Sequence, residues 1–179
     1  HATRDIPLIK ELKEQGHYVI IGTSGLAKEL LKRDFPKTKI VDLPSYKITY
    51  SRFNTQVFKM LLHLPRLLFT IIREHFILKK IIKEHNIDIV ISDNRYGLWN
   101  KKVKTIFITH QVIIKMPSLL QVYEKLVYKI NSHFINKYTE CWVPDITGEG
   151  GITGELSNKY DLKIKKTFIG RLSRFNNNS

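Results

Sequence analysis

The sequence predicts a doubly wound α/β fold built on a parallel sheet, and two observations carry that prediction. Short apolar runs rich in Ile and Val recur along the chain, and segments with helical apolar spacing separate them. The runs are near-continuous, as in strands buried on both faces, where a half-solvated sheet would alternate apolar with polar. At 179 residues with 42% hydrophobic content, the chain is long enough for one sizeable core and too short for two ordinary domains.

In chain order, Ile6, Ile9 and Leu12 follow helical spacing, with Asp5 and Pro7 as starting signals and Gly16 to close the helix. "HYVIIG" has the length and β-branching of a buried strand, "LAKELLKRDF" is helical, and "KIVDL" is a second short strand. After a polar loop at residues 44–51, a helical tract runs from about Phe53 to His85. Pro65 removes a backbone donor inside it, so two helices are expected there. "IDIVIS", "KTIFIT", "TECWVPD" and "KKTFIG" are further strand candidates, and "SLLQVYEKLVYKINSHFINKY" is a helix between the second and third of them.

The formal charge of +14 points to an anionic contact: nucleic acid, a membrane face or phosphorylated substrates. Residues 51–87 hold seven Lys/Arg against two acids, and Arg52, Lys59, Arg66, Arg73 and Lys80 recur every seven residues. On a helix that spacing makes one basic stripe. The stripe reads either as a solvated face or as a contact surface. Aromatics suited to base stacking do not interleave with it, which argues against nucleic acid. Bulky Leu61, Leu62, Leu68, Phe69 and Ile72 in the same tract suit an anionic membrane or the phosphates of a lipid acceptor. The run "MLLHLPRLLFTII" is broken by His63, Pro65 and Arg66 and is too short to span a bilayer.

Two strand candidates end in polar clusters. "VISDNRYGLW" turns polar at Ser92, Asp93, Asn94 and Arg95, and "TIFITHQ" ends in Thr109, His110 and Gln111. Ligands of doubly wound sheets sit at the carboxyl ends of strands, so these clusters fall where such a domain builds a site. The alternative is that Asp93 and Asn94 cap a turn and His110 is a structural histidine. The residues "HATRDIPLIKEL" put His1, Thr3 and Arg4 at a helix N-terminus, an environment that favours anions. "GEGGITG" fits neither the dinucleotide nor the Walker spacing and reads as a surface loop. Cys141, the single cysteine, reads as a buried, reduced thiol. No His/Cys/Asp cluster has metal-ligand spacing.

Taken together and in this order, "HATRDIPLIKEL", "VISDNRYGLW", "FITHQ", "CWVPD" and "FIGRLSRF" resemble the N-terminal domain of GT-B glycosyltransferases. The likeness is to bacterial relatives of the lipid-linked N-acetylglucosaminyltransferase of peptidoglycan synthesis. In that family a glycine-rich turn after the first strand leads to a His and then a helix, and His1 to Arg4 match the end of that motif. The resemblance implies an acceptor-side, Rossmann-like domain over residues 1–170, with its first strand absent, and the start of an interdomain linker over 171–179. Its implied activity is transfer of a sugar from a nucleotide-sugar donor to an acceptor hydroxyl, with a lipid-linked acceptor in view. The nucleotide sugar is a co-substrate bound by a C-terminal domain outside this chain, and no metal or other cofactor is expected. His1 is then the candidate general base and Asp93 its orienting partner. Thr3, Arg4, Asn94, Arg95, His110 and Gln111 are the candidate substrate-binding residues. The implied location is cytoplasmic, peripheral on the inner face of the plasma membrane.

Two other classes stay open. One is a non-catalytic Rossmann-like module that binds a nucleotide or an anionic surface. The other is an NAD-dependent enzyme with Asp42, at the end of "KIVDL", on the ribose.

Overall fold

The computed structural model describes residues 2–44, 56–109, 121–144 and 162–170, with side chains described from 5, 65 and 128 onward in the first three segments. Among these residues, four helices and six strands follow in the order α1 (Ala2–Glu14), β1 (Ile20–Thr23), α2 (Leu26–Asp34), β2 (Lys39–Asp42), α3 (Gln56–His85), β3 (Ile89–Asp93), β4 (Lys104–Ile108), α4 (Gln121–Ile135), β5 (Glu140–Val143) and β6 (Lys165–Phe168). Every strand pair is parallel.

The strands form two sheets: β1 pairs with β2, and β3, β4, β5 and β6 lie in that order. Among the described residues the expected parallel sheet is thus present in two parts, with the break between β1 and β3. The parallel α/β architecture itself stands and is consistent with a Rossmann-like fold.

Local chemistry explains most boundaries. Gly16 has φ +84°, and the amides of Gly16 and His17 bond back to the carbonyls of Lys13 and Leu12. This is a Schellman closure, which needs a residue that tolerates the left-handed region. Pro7 lies inside α1, whose first turn starts earlier than its sequence signals suggest. Ile6 and Ile9 of α1 pack with Ile21 of β1 and with Leu31 and Phe35 at α2, making the first core.

One expectation is overturned by α3. The tract is a single helix of 30 residues with Pro65 inside it, where two helices were expected. Pro65 is exposed. The carbonyl that loses its partner one turn earlier can therefore turn to water, and the helix continues because its inward face stays packed. That face carries Ile71 and Leu78, with Leu78 in a second core beside Leu43, Val90 and Leu98. A third core joins Phe107, Cys141 and Val143 of β4 and β5 to Ile135 and Tyr138 at the end of α4. Burial pushes the Cys141 thiol up to about 12, in keeping with an inert packed cysteine.

The connection from β3 to β4 has no helix. Parallel neighbours usually need a helical crossover, but here residues 94–103 cross as an irregular segment with Gly97, Leu98 and Asn100 buried. A buried irregular backbone must find partners for its polar groups. Those partners come from α3 and from the end of α4, and they define the candidate site.

Candidate site at the carboxyl end of the third strand

Asp93 is the last residue of β3 and lies in register with Ile108, the last residue of β4. The two strands therefore end level. Asn94 follows in the left-handed region, with φ +53°, and its amide donates to the Ile108 carbonyl at 3.1 Å. Asn is among the few non-glycine residues that adopt this conformation readily. It turns the chain sharply away from the strand and leaves Asp93, half-buried, at the rim. Beyond β4, the Thr109 amide donates to the Trp142 carbonyl at 3.1 Å, so the sheet-like bonding extends one residue past the strand.

The turn is fastened from below by Glu74 of α3, a carboxylate 4% exposed in the middle of an otherwise apolar inward face. One of its oxygens accepts from the Arg95 Nε at 2.9 Å, and the other accepts from the Gly97 amide at 3.1 Å. The Arg95 guanidinium also donates through Nη2 to the Pro44 carbonyl, tying the end of β2 to this turn. From the other side, the Ser92 hydroxyl donates to the Arg95 carbonyl at 2.8 Å, and the Tyr138 hydroxyl donates to the same oxygen. Desolvation of the Glu74 carboxylate pushes its pKa up and outweighs the opposing pull of Arg95. Burial likewise raises the Tyr138 phenol far out of the physiological range, so it remains a donor.

Gly97 is required by space. A Cβ there would lie 2.5 Å from the Glu74 Cβ and nearer still to the Ile71 carbonyl oxygen, so the segment can lie against α3 only without a side chain. Farther along, His75 stacks on Trp99 with ring centroids 3.9 Å apart, and its Nδ1 lies 3.0 Å from the Trp99 carbonyl oxygen. The Lys137 Nζ stands over the Trp99 ring, 4.7 Å from its centroid. Burial lowers the His75 pKa and favours the neutral ring.

Of the residues expected from sequence, Asp93, Asn94 and Arg95 are gathered on this one turn. Asp93 stands at the rim, Asn94 makes the reversal, and Arg95 is directed to Glu74 and Pro44, an assignment that makes it a brace for the turn. Thr3 and Arg4 lie in the first turn of α1, and their side chains lie outside the described residues, as do His1, His110 and Gln111. Asp42, the alternative ribose ligand, is gripped by the Lys28 Nζ at 2.8 and 2.7 Å. Among the described residues no group of three or more His, Cys, Asp or Glu is arranged to hold a metal ion.

Glu74, Gly97 and Tyr138 were not singled out by sequence reasoning. Glu74 did carry a signal: it is the lone acid of α3 before Glu84, and it shares helical spacing with Ile71 and Leu78. An acid in an apolar stripe needs a buried partner. Comparison of the chain with protein-family models, curated proteins and solved structures returns no match.

Proposed function

We propose that this domain is the acceptor-side half of a GT-B glycosyltransferase that moves a sugar from a nucleotide donor to an acceptor hydroxyl. The observation that supports this reading is the braced turn at the carboxyl end of β3, level with the end of β4 on a parallel sheet. That is where α/β domains build sites. The bracing holds a carboxylate, Asp93, at the rim on a backbone fastened to α3 and to the end of α4.

The reaction needs a base to take the acceptor proton as the hydroxyl attacks the anomeric carbon and the nucleoside diphosphate departs. In this reading His1 is that base, and Asp93 orients it and stabilises the imidazolium as it forms. Backbone amides at the start of α1, with Thr3 and Arg4, offset developing diphosphate charge. Asn94, His110 and Gln111 line the acceptor side, and Arg95 shapes it through the brace. The nucleotide sugar is held chiefly by a second domain that these residues do not include.

The test is an assay of the complete protein with a panel of nucleotide sugars and with soluble and lipid-linked acceptors. Transfer that depends on both donor and acceptor is expected. Tight nucleotide binding without transfer to any acceptor would favour a non-catalytic binding module.

A further inference from the structure

Next to Glu74 on α3, His75 makes a second attachment to the segment that crosses from β3 to β4, and it is of a different kind. Its ring stacks on Trp99 with centroids 3.9 Å apart and planes 22° from parallel, and its Nδ1 lies 3.0 Å from the Trp99 carbonyl oxygen. Facing a carbonyl, Nδ1 is the nitrogen that carries the hydrogen of the neutral ring. Consecutive residues of one helix thus hold residues 95–99. Glu74 takes Arg95 and the Gly97 amide, and His75 takes Trp99. The first tie is buried, whereas His75 and Trp99 are half-buried.

Apart from the engaged Glu74, the charges around His75 have one sign. Lys79 lies one turn on in its own helix, and Lys137 stands just past α4. Neither has a carboxylate partner among the described residues: Lys79 rests over the Phe76 ring at 5.4 Å, and Lys137 over Trp99 at 4.7 Å and Phe134 at 5.1 Å. The crossing segment offers the carbonyls of Trp99 and Gly97. Its Arg95 is tied to Glu74, and its Lys101 and Lys102 are exposed. A proton on the ring would gain from the two carbonyls, but it would set a further cation beside Lys79 and Lys137 on a partly desolvated ring. Burial and the lysines prevail and hold the His75 pKa below the ordinary histidine value. The stacked ring therefore binds a proton less tightly than the ring of the unfolded chain. Its contribution is fully present above the ordinary histidine pKa and is lost as the pH falls through the lowered value.

We propose that His75 is a pH-sensitive latch on the crossing segment: the neutral ring clasps Trp99 to α3, and protonation in mild acid releases Trp99 while the Glu74 tie keeps residues 95–97 seated. Histidine is the side chain whose charge ordinarily changes in that range. The two ties respond to acid in opposite directions, because burial favours a proton on Glu74 and opposes one on His75. Acid therefore loosens the segment beyond Gly97 and leaves the turn next to Asp93 in place. The latch stands independently of the reaction proposed above, and either can fail alone.

The chain has two tryptophans, so Trp142→Phe leaves Trp99 as the only indole. Acrylamide quenching of its fluorescence is followed between about pH 4 and pH 8, which spans the titration of an ordinary histidine and of one with a lowered pKa. Circular dichroism is recorded beside it. The proposal expects the quenching constant to rise severalfold on acidification, with a midpoint below the ordinary histidine pKa and unchanged helix content. His75→Phe in the same background keeps a ring on Trp99 that cannot titrate, so its quenching should stay low across the range. Lys79→Gln removes one opposing cation and should move the midpoint up. Quenching that does not change with pH, a rise that persists in His75→Phe, or a midpoint at or above the ordinary histidine value would overturn the latch. So would a midpoint that Lys79→Gln moves down, or a rise that coincides with loss of helix content.

Discussion

Glu74 and Arg95 meet 2.9 Å apart, Oε1 to Nε, with the Glu74 side chain 6% and the Arg95 side chain 22% exposed. The second Glu74 oxygen takes the Gly97 amide, so one carboxylate from α3 holds both ends of a three-residue turn. Removing one partner of a buried pair strands the other charge. Glu74→Ala should therefore destabilise the domain by about 3–5 kcal/mol, measured as a lowered urea midpoint. A loss below about 1 kcal/mol, the worth of an exposed pair, would mean that water reaches the turn.

The pH dependence has a definite sign. Burial raises the Glu74 pKa in the folded state, so the folded protein holds that proton more tightly than the unfolded chain. Stability from this group is fully present below the ordinary glutamate pKa and is lost as the pH rises through the raised value. Glu74→Gln mimics the protonated form and removes this term. The stability of wild type relative to Glu74→Gln should fall as the pH is raised from below the ordinary glutamate range toward neutrality, read from denaturation midpoints across that window. A relative stability that rises with pH would show that the Arg95 attraction dominates instead.

Two backbone positions resist alanine for different reasons. Asn94 has φ +53°, so Asn94→Ala should cost about 1 kcal/mol while Asn94→Gly should be close to neutral. At Gly97 the added methyl meets the Glu74 Cβ at 2.5 Å, and Gly97→Ala should cost about 1–3 kcal/mol as the segment is pushed off α3. Thermal unfolding of the three variants checks the order. A harmless Gly97→Ala would mean that the segment is not seated on the helix.

How much of this was legible in the sequence depended on which interactions set each feature. The strands were legible because "IDIVIS" and "KTIFIT" are β-branched runs whose burial is written in their own composition, and Gly16 announced the end of α1. Pro65 misled because its local cost was judged without the packing of the inward face, which holds α3 together as one helix. The turn at the end of β3 was visible as polarity at Asp93 and Asn94. The role of Arg95 was hidden, because its partner lies twenty-one positions upstream and meets it only through the fold. The same holds for Tyr138, which reaches the Arg95 carbonyl from forty-three positions away.

If the donor is bound chiefly by a second domain, the 179-residue chain alone should show no glycosyl transfer with any nucleotide sugar. Acceptor binding can persist in it, as read by calorimetry with a lipid-linked or soluble acceptor. Robust turnover by the chain alone would refute that division of labour.

The most direct test of the account is the turnover rate of the complete protein carrying Asp93→Ala, measured beside its folding transition. Asp93 ends β3 at the rim and the brace runs through Glu74, Arg95 and Gly97, so the folding transition measured beside the rate separates a loss of chemistry from a loss of structure. If Asp93 orients the general base as proposed, its loss should lower the rate by roughly a hundredfold or more. Near-normal turnover with an unchanged folding transition would return Asp93 to a residue that merely ends a strand.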